Sequence, residues 1–512
     1  MDDGQPQAQA IAIADDKILA VGANKDILAL ASDNTQIVDV QGHALLPGFI
    51  DSHAHWIGDL QNGSFASPEM VNSSLVCRGW TSINELFVNQ DRLEELIALD
   101  RSGRLPVRVN AYLPVNFSDD KFGNWYLEHE PMSYLTPHVR LAGIKIMLDH
   151  GWGTIFHWEQ EELNNYVLEA HQNGWQVASH TVSQKAHDMI LNAFEYSLQL
   201  APNDDPRFRI EHAVQVRDDQ IVRMSELGAL ASIQLIGPAD WPSEEAYLSL
   251  VGETTYLMTR WRDFVESGVV TLGSTDWPWT TPSEFRDNPP SPIISMYQAA
   301  TWDGYFNVPP EPYQLNQTLT IEQSLRLLTI NGAYGTFEED RKGSLTAGKW
   351  ADIVILSENP LAVPIQALTE IQVMMTMIGG ELAYCAPSAE HVCPLASPTV
   401  ETAITSIRTV ENTDTSIPTI LAAACSFDQS VPKITCNASG ATQDSQLRWE
   451  SNIWGWNTGP SYEIRIEQEY QLVPEVVVTL QECNGPICEM VETRIDTSIL
   501  LTDAAPTTTV SP

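Results

Sequence analysis

Two histidines separated by one residue, His53 and His55, end an apolar run that begins at Leu45. On a β-strand, residues i and i+2 point to the same face, so these imidazoles would stand side by side at the end of a strand. Neutral imidazole is the side chain that most often binds a metal ion in proteins. The alternative to metal binding is that these two histidines are a chance pair on the protein surface. Metal binding therefore depends on whether other strands supply further ligands.

Groups with suitable chemistry follow several other strand-like segments, namely Lys145, His180, His212 and Asp276. Each has a structural explanation by itself, as a core histidine, a turn residue or a lysine that reaches solvent. Their shared position at predicted strand ends favours one common site. Four neutral imidazoles and a carboxylate suit Zn²⁺ first, with Mn²⁺ or Fe²⁺ as alternatives.

Lys145 is unusual in such a site because an ammonium group repels a metal ion. A buried lysine loses its proton readily, and the free amine can add CO₂ to become a carbamate with two oxygen ligands. This carbamate would bridge two divalent ions ~3.5–4 Å apart, which share a hydroxide and polarise a carbonyl. Asp276 would take the proton of the hydroxide and deliver it to the leaving group. The expected cofactors are two divalent metal ions and a CO₂-derived carbamate on Lys145.

The segments that carry these residues alternate between strand-like and helical patterns from residue 45 to about 285. In one helical segment, Leu93, Leu96 and Ile97 follow the spacing i, i+3, i+4. About eight such strands predict a parallel sheet covered by helices. Closure into a (β/α)₈ TIM barrel would bring the carboxyl ends of the strands together at one active site.

Strand patterns outside this region predict two further β structures. Those near residues 11–13, 18–21 and 37–40 would pair with strands of 343–384 in a small composite β-sandwich from both chain ends. Beyond about residue 400, Thr, Ser and β-branched residues dominate and predict an all-β, immunoglobulin-like sandwich. The predicted domains are the N-terminal part of the composite sandwich (1–46), the barrel (47–342), the C-terminal part of the composite sandwich (343–400), the accessory β-sandwich (401–503) and a disordered tail (504–512).

The chain carries 67 acidic and 27 basic residues, a formal net charge of −40. Binding to phosphates needs clustered Lys and Arg, so nucleic acid is excluded as a partner. The same charge argues against an anionic membrane surface, and we find no apolar run near the ~20 residues of a membrane helix. We expect a small-molecule amide-type substrate as the partner, and a homo-oligomer is compatible with these features.

Six of the seven cysteines form close pairs near the C-terminus, and only Cys77 stands alone. Close pairs predict disulfides and an oxidising compartment, with reduced cysteines in a cytoplasmic protein as the alternative. The first residues, 1–4, lack the basic and apolar regions of a signal peptide, so we expect an upstream segment. The expected location is secreted, periplasmic or cell-surface. The pairs are Cys385/Cys393, Cys425/Cys436 and Cys483/Cys488.

Six stretches, in order, resemble the metal-dependent amidohydrolase superfamily, specifically its amidohydrolase-3 branch of formamide-deformylase-like enzymes. They are LLPGFIDSHAHW (45–56), GIKIMLD (143–149), GWQVASH (174–180), RIEHA (209–213), GSTDWP (273–278) and GSLTAGKWADIVIL (343–356). The resemblance covers roughly residues 9–385 and implies a TIM barrel with a composite β-sandwich. It implies these roles: His53 and His55 bind the first metal, Lys145 is the carboxylated bridge, His180 and His212 bind the second metal, and Asp276 is a first-metal ligand and proton shuttle.

Two departures from the branch leave the substrate open. His150 stands where the branch usually has glycine, and the segment between the histidine pair and Lys145 is shorter than usual. Polar and aromatic residues that follow strands would line a substrate pocket at the barrel mouth, with loop packing as the alternative for each. These predicted substrate-binding residues are Trp56, His150, Trp152, Gln234 and Trp277.

The predicted function is hydrolysis of a non-peptide C–N amide-type bond (N-acyl, N-formyl or carbamate) by a metal-bridging hydroxide, with Asp276 as the proton shuttle. One alternative is an ester or lactone hydrolase that uses the same site. Another is a mononuclear deaminase of a heterocyclic base, but no His-x-x-Glu follows the fifth strand. A catalytically inactive secreted binding protein is a third alternative, which the extra β domain keeps open.

Overall fold

The computed structural model describes most of the first 393 residues and a set of strands beyond them. The chain divides into two compact units, Met1–Glu401 and Thr402–Pro512. Among the described residues, no helix has the length and apolar character needed to cross a bilayer. The finer domain boundaries given above stay a prediction. The described residues are 4, 6–57, 68–150, 153–235, 257–279, 289–303, 310, 312–393 and the strands between 422 and 496.

Eight parallel strands form one sheet in sequence order, and their residues are almost all buried. Backbone hydrogen bonds connect the first and eighth strands: the N–H of Asp276 donates to the carbonyl of His53 (2.7 Å), and the N–H of His55 donates to that of Trp277 (2.9 Å). The predicted TIM barrel is confirmed. Its strands are Phe49–Ala54, Trp80–Glu85, Arg108–Pro114, Val139–Met147, Gln176–Thr181, Arg209–His212, Leu230–Gln234 and Thr271–Ser274.

Helices follow the strands and bury one apolar side each, such as Leu163, Val167 and Ala170 in the helix after the fourth strand. A 3₁₀ helix, Trp125–Glu128, follows the third strand. The alternation extends past residue 285, because Ser291 caps a helix after the eighth strand. The barrel helices are Pro68–Val76, Gln90–Arg101, Gln160–Gln172, Gln184–Leu200, Asp218–Leu227, Trp261–Glu266 and Pro292–Thr301.

Shorter helices lie outside the barrel alternation. The predicted capping box is present at Ile321–Leu327, where Thr320 accepts from the N–H of Gln323 and the Gln323 side chain accepts from the N–H of Thr320. The other α-helices are Asn24–Leu28, Pro312–Leu315 and Ile330–Tyr334, and the other 3₁₀ helices are Ile365–Glu370 and Pro387–Val392.

A four-stranded antiparallel sheet combines both ends of the first unit, as predicted, but its N-terminal strand is Ala44–Pro47, which pairs with Ile353–Leu356, and not a strand of residues 9–41. The strand expected at 37–40 is wrong, since these described residues are irregular. A hairpin of Ala10–Ala14 and Lys17–Gly22 contacts this region through a bridge between Lys17 and Trp350. The sheet consists of Glu381–Cys385, Val373–Ile378, Ile353–Leu356 and Ala44–Pro47.

Gly48 lies between Pro47, which ends the sheet strand Ala44–Pro47, and Phe49, which begins the first barrel strand. A Cβ atom on Gly48 would lie 2.2 Å from Oγ1 of the buried Thr81 in the second barrel strand. Only glycine allows so close an approach without displacement of Thr81. The apolar run before His53 is therefore two strands, one in each sheet, that meet at this glycine.

The second unit is all-β, as predicted, and its immunoglobulin-like topology stays a prediction. The antiparallel register places Cys425 opposite Cys436 and Cys483 opposite Cys488. In the first unit, Cys385 and Cys393 form a disulfide. The predicted tail, 504–512, lies outside the described residues. One sheet comprises Ala422–Asp428, Lys433–Ser439 and Ser461–Arg465, and the other Asn457–Thr458, Gln446–Ser451, Glu475–Asn484 and Ile487–Asp496.

Candidate metal centre

The histidines predicted as ligands converge at the carboxyl ends of the barrel strands. Their rings form a row in which the centroids of His55 and His53 are 5.5 Å apart, those of His53 and His212 4.8 Å, and those of His212 and His180 4.3 Å. Burial is the main cause that lowers the pKa of His53, His180 and His212. These imidazoles are therefore held in the neutral form that binds metal.

Asp276 lies between the histidines of the first strand and that of the sixth. Its Oδ1 is 3.3 Å from Nε2 of His53 and 3.4 Å from Nε2 of His55, and its Oδ2 is 3.9 Å from Nδ1 of His212. Burial alone would raise the pKa of Asp276, but the facing imidazoles hold it below its usual value. His53, His55 and Asp276 each place one ligand atom within 4.8 Å of the others, a donor set that fits a divalent ion.

Two of the predicted ligands have left-handed backbone conformations, with φ of 71° at His212 and 51° at Asp276. Such angles are uncommon outside glycine and cluster at functional sites. On a regular strand, Glu211 and His212 would point to opposite faces. The left-handed residue ends this alternation, and both side chains contact the histidine row.

Lys145 lies among these groups, 2% exposed, and within the described residues its Nζ has no hydrogen-bond partner. Burial lowers the pKa of Lys145 to about 8, although the nearby carboxylates of Glu211 and Asp276 raise it. A buried amine without a hydrogen-bond partner lowers the stability of the fold, unless the amine is covalently modified or binds another group. Conversion to a carbamate would place an anion beside the imidazoles. The buried imidazoles, the Asp276 carboxylate and the unpaired amine thus fit a divalent metal site.

Glu211 is not among the residues predicted from the sequence, yet it contacts a candidate ligand directly. Its Oε2 is 2.6 Å from Nδ1 of His53, and Nε of Arg209 donates to its Oε1 at 2.7 Å. Arg209 also donates to the hydroxyl of Tyr112 at 2.6 Å, and all of these side chains are buried. The available signal was the pair of opposite charges, Arg209 and Glu211, in the short strand Arg209–His212.

Asp51 is a second buried carboxylate beneath the site, and it connects the first strand to the loop after the eighth. It accepts hydrogen bonds from the hydroxyl and N–H of Thr275 (2.6 and 2.9 Å) and from the indole N–H of Trp56 (2.9 Å). Burial raises the pKa of Asp51 to about 6, against these hydrogen bonds. Asp51 thereby fixes the segment that presents Asp276.

The predicted substrate residues lie in different surroundings. Trp56 and Trp277 are buried and stacked, with centroids 4.6 Å apart, so both contribute to packing. Oε1 of Gln234 is 3.1 Å from Nδ1 of His212, which orients that ring. His150 is partly buried near His180, and Trp152 lies outside the described residues. Their contact with substrate stays a prediction.

Comparison with known proteins adds independent findings. A model of the amidohydrolase family matches residues 75–384, more than half of the chain. The N-substituted formamide deformylase of Arthrobacter pascens is 27% identical over 277 residues, 50% of this chain and 47% of that protein. Protein LONG AFTER FAR-RED 3 of Arabidopsis thaliana is 26% identical over 308 residues, 56% of this chain and 49% of that protein. The chain thus spans about half the length of these relatives.

The fold is also found among solved structures. An uncharacterized metal-dependent hydrolase from Pyrococcus horikoshii superposes with a TM-score of 0.57 at 19% identity, covering 70% of this chain and 95% of that chain. At this identity the likeness concerns the fold alone. The family match carries the assignment, and the barrel agrees with it: this chain belongs to the amidohydrolase family.

Proposed function

We propose that this protein hydrolyses a non-peptide C–N amide-type bond, in an N-acyl, N-formyl or carbamate substrate, with two divalent metal ions. The observation that carries the proposal is Lys145, whose buried Nζ has no partner among the described residues. The carboxylates of Glu211 and Asp276 and the rings of three histidines lie near it, namely His53, His180 and His212. A lone ammonium group would be repelled by metal, whereas a carbamate would hold it. This supports two ions rather than one.

The residues divide into two sets of ligands around Lys145. His53, His55 and Asp276 would hold one ion, and His180 and His212 the other. The neutral Nζ would add CO₂ and lose one proton, which would give an anionic carbamate that adds two oxygen donors to these ligands. Zn²⁺ is the first candidate for this donor set, with Mn²⁺ or Fe²⁺ as alternatives. When bound, the ions would polarise the substrate carbonyl and lower the pKa of water.

Asp276 is the residue placed to move a proton. Its two oxygens face histidines of both ligand sets, and its lowered pKa keeps it ionised before water is engaged. It would accept a proton from the attacking water and pass it to the leaving nitrogen as the C–O bond forms and the C–N bond breaks. A neutral amine is a far better leaving group than an amide anion. The side chain therefore acts as base and then as acid.

A panel of substrates tests the proposal directly. Metal-loaded protein is incubated with formamides, N-acyl amino acids, carbamates, esters and heterocyclic amines, and amine, acid and ammonia are measured separately. We expect release of an amine from at least one C–N substrate class, in line with the formamide deformylase among the relatives. Ammonia release from a heterocyclic amine would indicate the deaminase alternative, and hydrolysis of esters alone would contradict the proposed bond class.

A further inference from the structure

Three titratable residues on the loops after the third and fourth barrel strands form a hydrogen-bonded chain. Nδ1 of His150 lies 2.6 Å from Nε2 of His157, and Nδ1 of His157 lies 2.9 Å from Oδ1 of Asp119. The two rings are within 8° of parallel with centroids 4.7 Å apart, so they meet nitrogen to nitrogen. His157 is buried, whereas the side chain of Asp119 is 88% exposed. This hydrogen-bonded chain of three side chains thus ends in solvent.

The partners define the protonation of each ring. The Asp119 carboxylate only accepts, so Nδ1–H of His157 donates to it and leaves Nε2 of His157 as an acceptor. That acceptor faces Nδ1 of His150, which must therefore carry a proton. Nε2 of His150 is then left with a free lone pair. The neutral chain has a basic end at His150 and a solvent end at Asp119.

The loop that carries His150 packs against the segment that carries the candidate ligand His180. Met147, three residues before His150, is the register partner of His180 in the barrel sheet. Between them, the Asp149 carboxylate accepts from the N–H groups of Val182 (3.1 Å) and Ser183 (2.9 Å), which fixes the His150 loop against the segment after His180. His150 is also near enough to contribute to the lowered pKa of His180.

We propose that His150, His157 and Asp119 form a proton relay between the candidate metal centre and solvent. This inference rests on the proposed hydrolysis. When the amine leaves in its neutral form, the product acid stays behind as a carboxylate, and the next water molecule must lose one proton to solvent before it can attack. The relay provides a path for that proton which does not use Asp276.

Each transfer conserves protons and charge. A proton binds Nε2 of His150, and the proton on Nδ1 of His150 moves to Nε2 of His157. The proton on Nδ1 of His157 then moves to Asp119, and from there to bulk water. Each ring gains one proton and loses one, and rotation of the rings restores the starting tautomers. No oxidant, reductant or other reactant is needed.

The test compares His157→Gln with a matched control, His138→Gln. Glutamine keeps hydrogen bonds at position 157 but cannot carry a proton. His138 forms a similar pair with Asp100 (2.8 Å), at the opposite, amino-terminal end of the fourth strand. On a substrate that wild-type protein hydrolyses, we expect His157→Gln to lower kcat about tenfold or more, change kcat/KM less than about twofold, and recover with added imidazole. His138→Gln should match wild type.

A second variant and a second readout keep the test decisive. Asp119→Asn changes only an exposed side chain, and it should lower kcat in the same direction with metal content unchanged. Nitrogen NMR of histidine-labelled wild-type protein should find Nδ1 protonated on both His150 and His157. An unprotonated Nδ1 on His150, or a kcat and kcat/KM that fall equally without imidazole rescue, would overturn the relay. An inactive wild-type protein would instead count against the proposed hydrolysis, and NMR would still test the chain.

Discussion

Nδ1 of His53 lies 2.6 Å from Oε2 of Glu211, and both side chains are buried. The carboxylate only accepts, so Nδ1–H of the histidine donates and Nε2 is left to face Asp276 at 3.3 Å. Arg209 holds Glu211 through a second, buried ion pair. The barrel interior thus sets the tautomer and the orientation of a proposed metal ligand.

Replacement of Glu211 by Gln should weaken metal binding. The carboxylate that supports His53 is lost, and such changes typically cost 10–100-fold in metal affinity. The buried charge of Arg209 also becomes unpaired, so we expect a loss of about 3–5 kcal/mol in the free energy of unfolding. Competitive chelator titration of the folded protein measures the affinity, and urea denaturation measures the stability.

Asp352→Asn is the matched control for Glu211→Gln. Asp352 forms another buried pair of this kind, with Nε and Nη2 of Arg108 at 2.8 and 3.0 Å, at the amino-terminal end of the third barrel strand. It should lose stability comparably yet keep wild-type metal affinity. Equal affinity losses in both variants would show that Glu211 acts through stability alone.

Asp276→Asn should abolish most activity without unfolding the protein. Asparagine has the same shape and tolerates the left-handed conformation at this position, where φ is 51°. An amide cannot take the proton from water, so kcat should fall about 10²–10⁴-fold. Steady-state kinetics and thermal denaturation measure the two effects. Activity within about threefold of wild type would remove Asp276 from the proposed proton transfer.

The buried carboxyl group of Glu338, at the amino-terminal end of the barrel, should make the free energy of unfolding depend on pH. Burial would raise its pKa, but Lys342, whose Nζ is 2.8 Å away, and Arg140 lower the pKa from 4.5 to about 2. A lowered carboxyl pKa stabilises the fold above pH 4.5, and this stabilisation is lost as pH falls from about 4.5 to 2. This contribution to the free energy of unfolding is roughly 3 kcal/mol.

Urea denaturation at pH 6 and pH 3 measures this contribution. Glu338→Gln should lose less stability between the two pH values than wild type does, because its side chain does not titrate. The exposed Glu322→Gln is the control and should follow wild type. If the Glu338→Gln and wild-type curves run parallel, Glu338 does not carry the predicted dependence.

The cysteine register supports a proposed oxidising location outside the cytoplasm. Two predicted pairs face each other across antiparallel strands, and Cys385 bonds Cys393. Protein purified from its natural compartment should bind one alkylating group without reductant, at Cys77, and seven after reduction. Mass spectrometry counts the groups. Seven groups without reductant would contradict both the disulfides and the location.

Much of the site was predictable because its chemistry is concentrated at strand ends. His53, His180 and His212 each lie at or next to the last residue of a strand, and parallel strands bring such ends together. The C-terminal strands of the composite sheet were predictable from their patterns, but its N-terminal strand, Ala44–Pro47, was not separated from the barrel strand that follows it. The break at Gly48 was not predictable, because its cause is contact with Thr81, which lies 33 positions away in the sequence.

What the sequence could not provide is pairing between distant side chains. Nothing local indicates that Glu211 supports His53, or that His157 lies between His150 and Asp119. The charged pair Arg209 and Glu211 marks the sixth strand as unusual, but it does not identify His53 as a partner. The prediction of a strand at residues 37–40 was wrong because their apolar residues are typical of a strand, whereas the segment is irregular in the fold.

The metal-to-protein ratio tests the two-metal account most directly. Wild-type protein loaded with Zn²⁺ in bicarbonate should hold about two ions per chain, and Lys145→Ala at most one, with partial recovery in short carboxylic acids. Lys342→Met is the control, since Lys342 is a buried lysine that contacts Ser82 and Glu338 rather than the site. It should keep both ions. One ion per chain in wild type, or two in Lys145→Ala, would contradict the account.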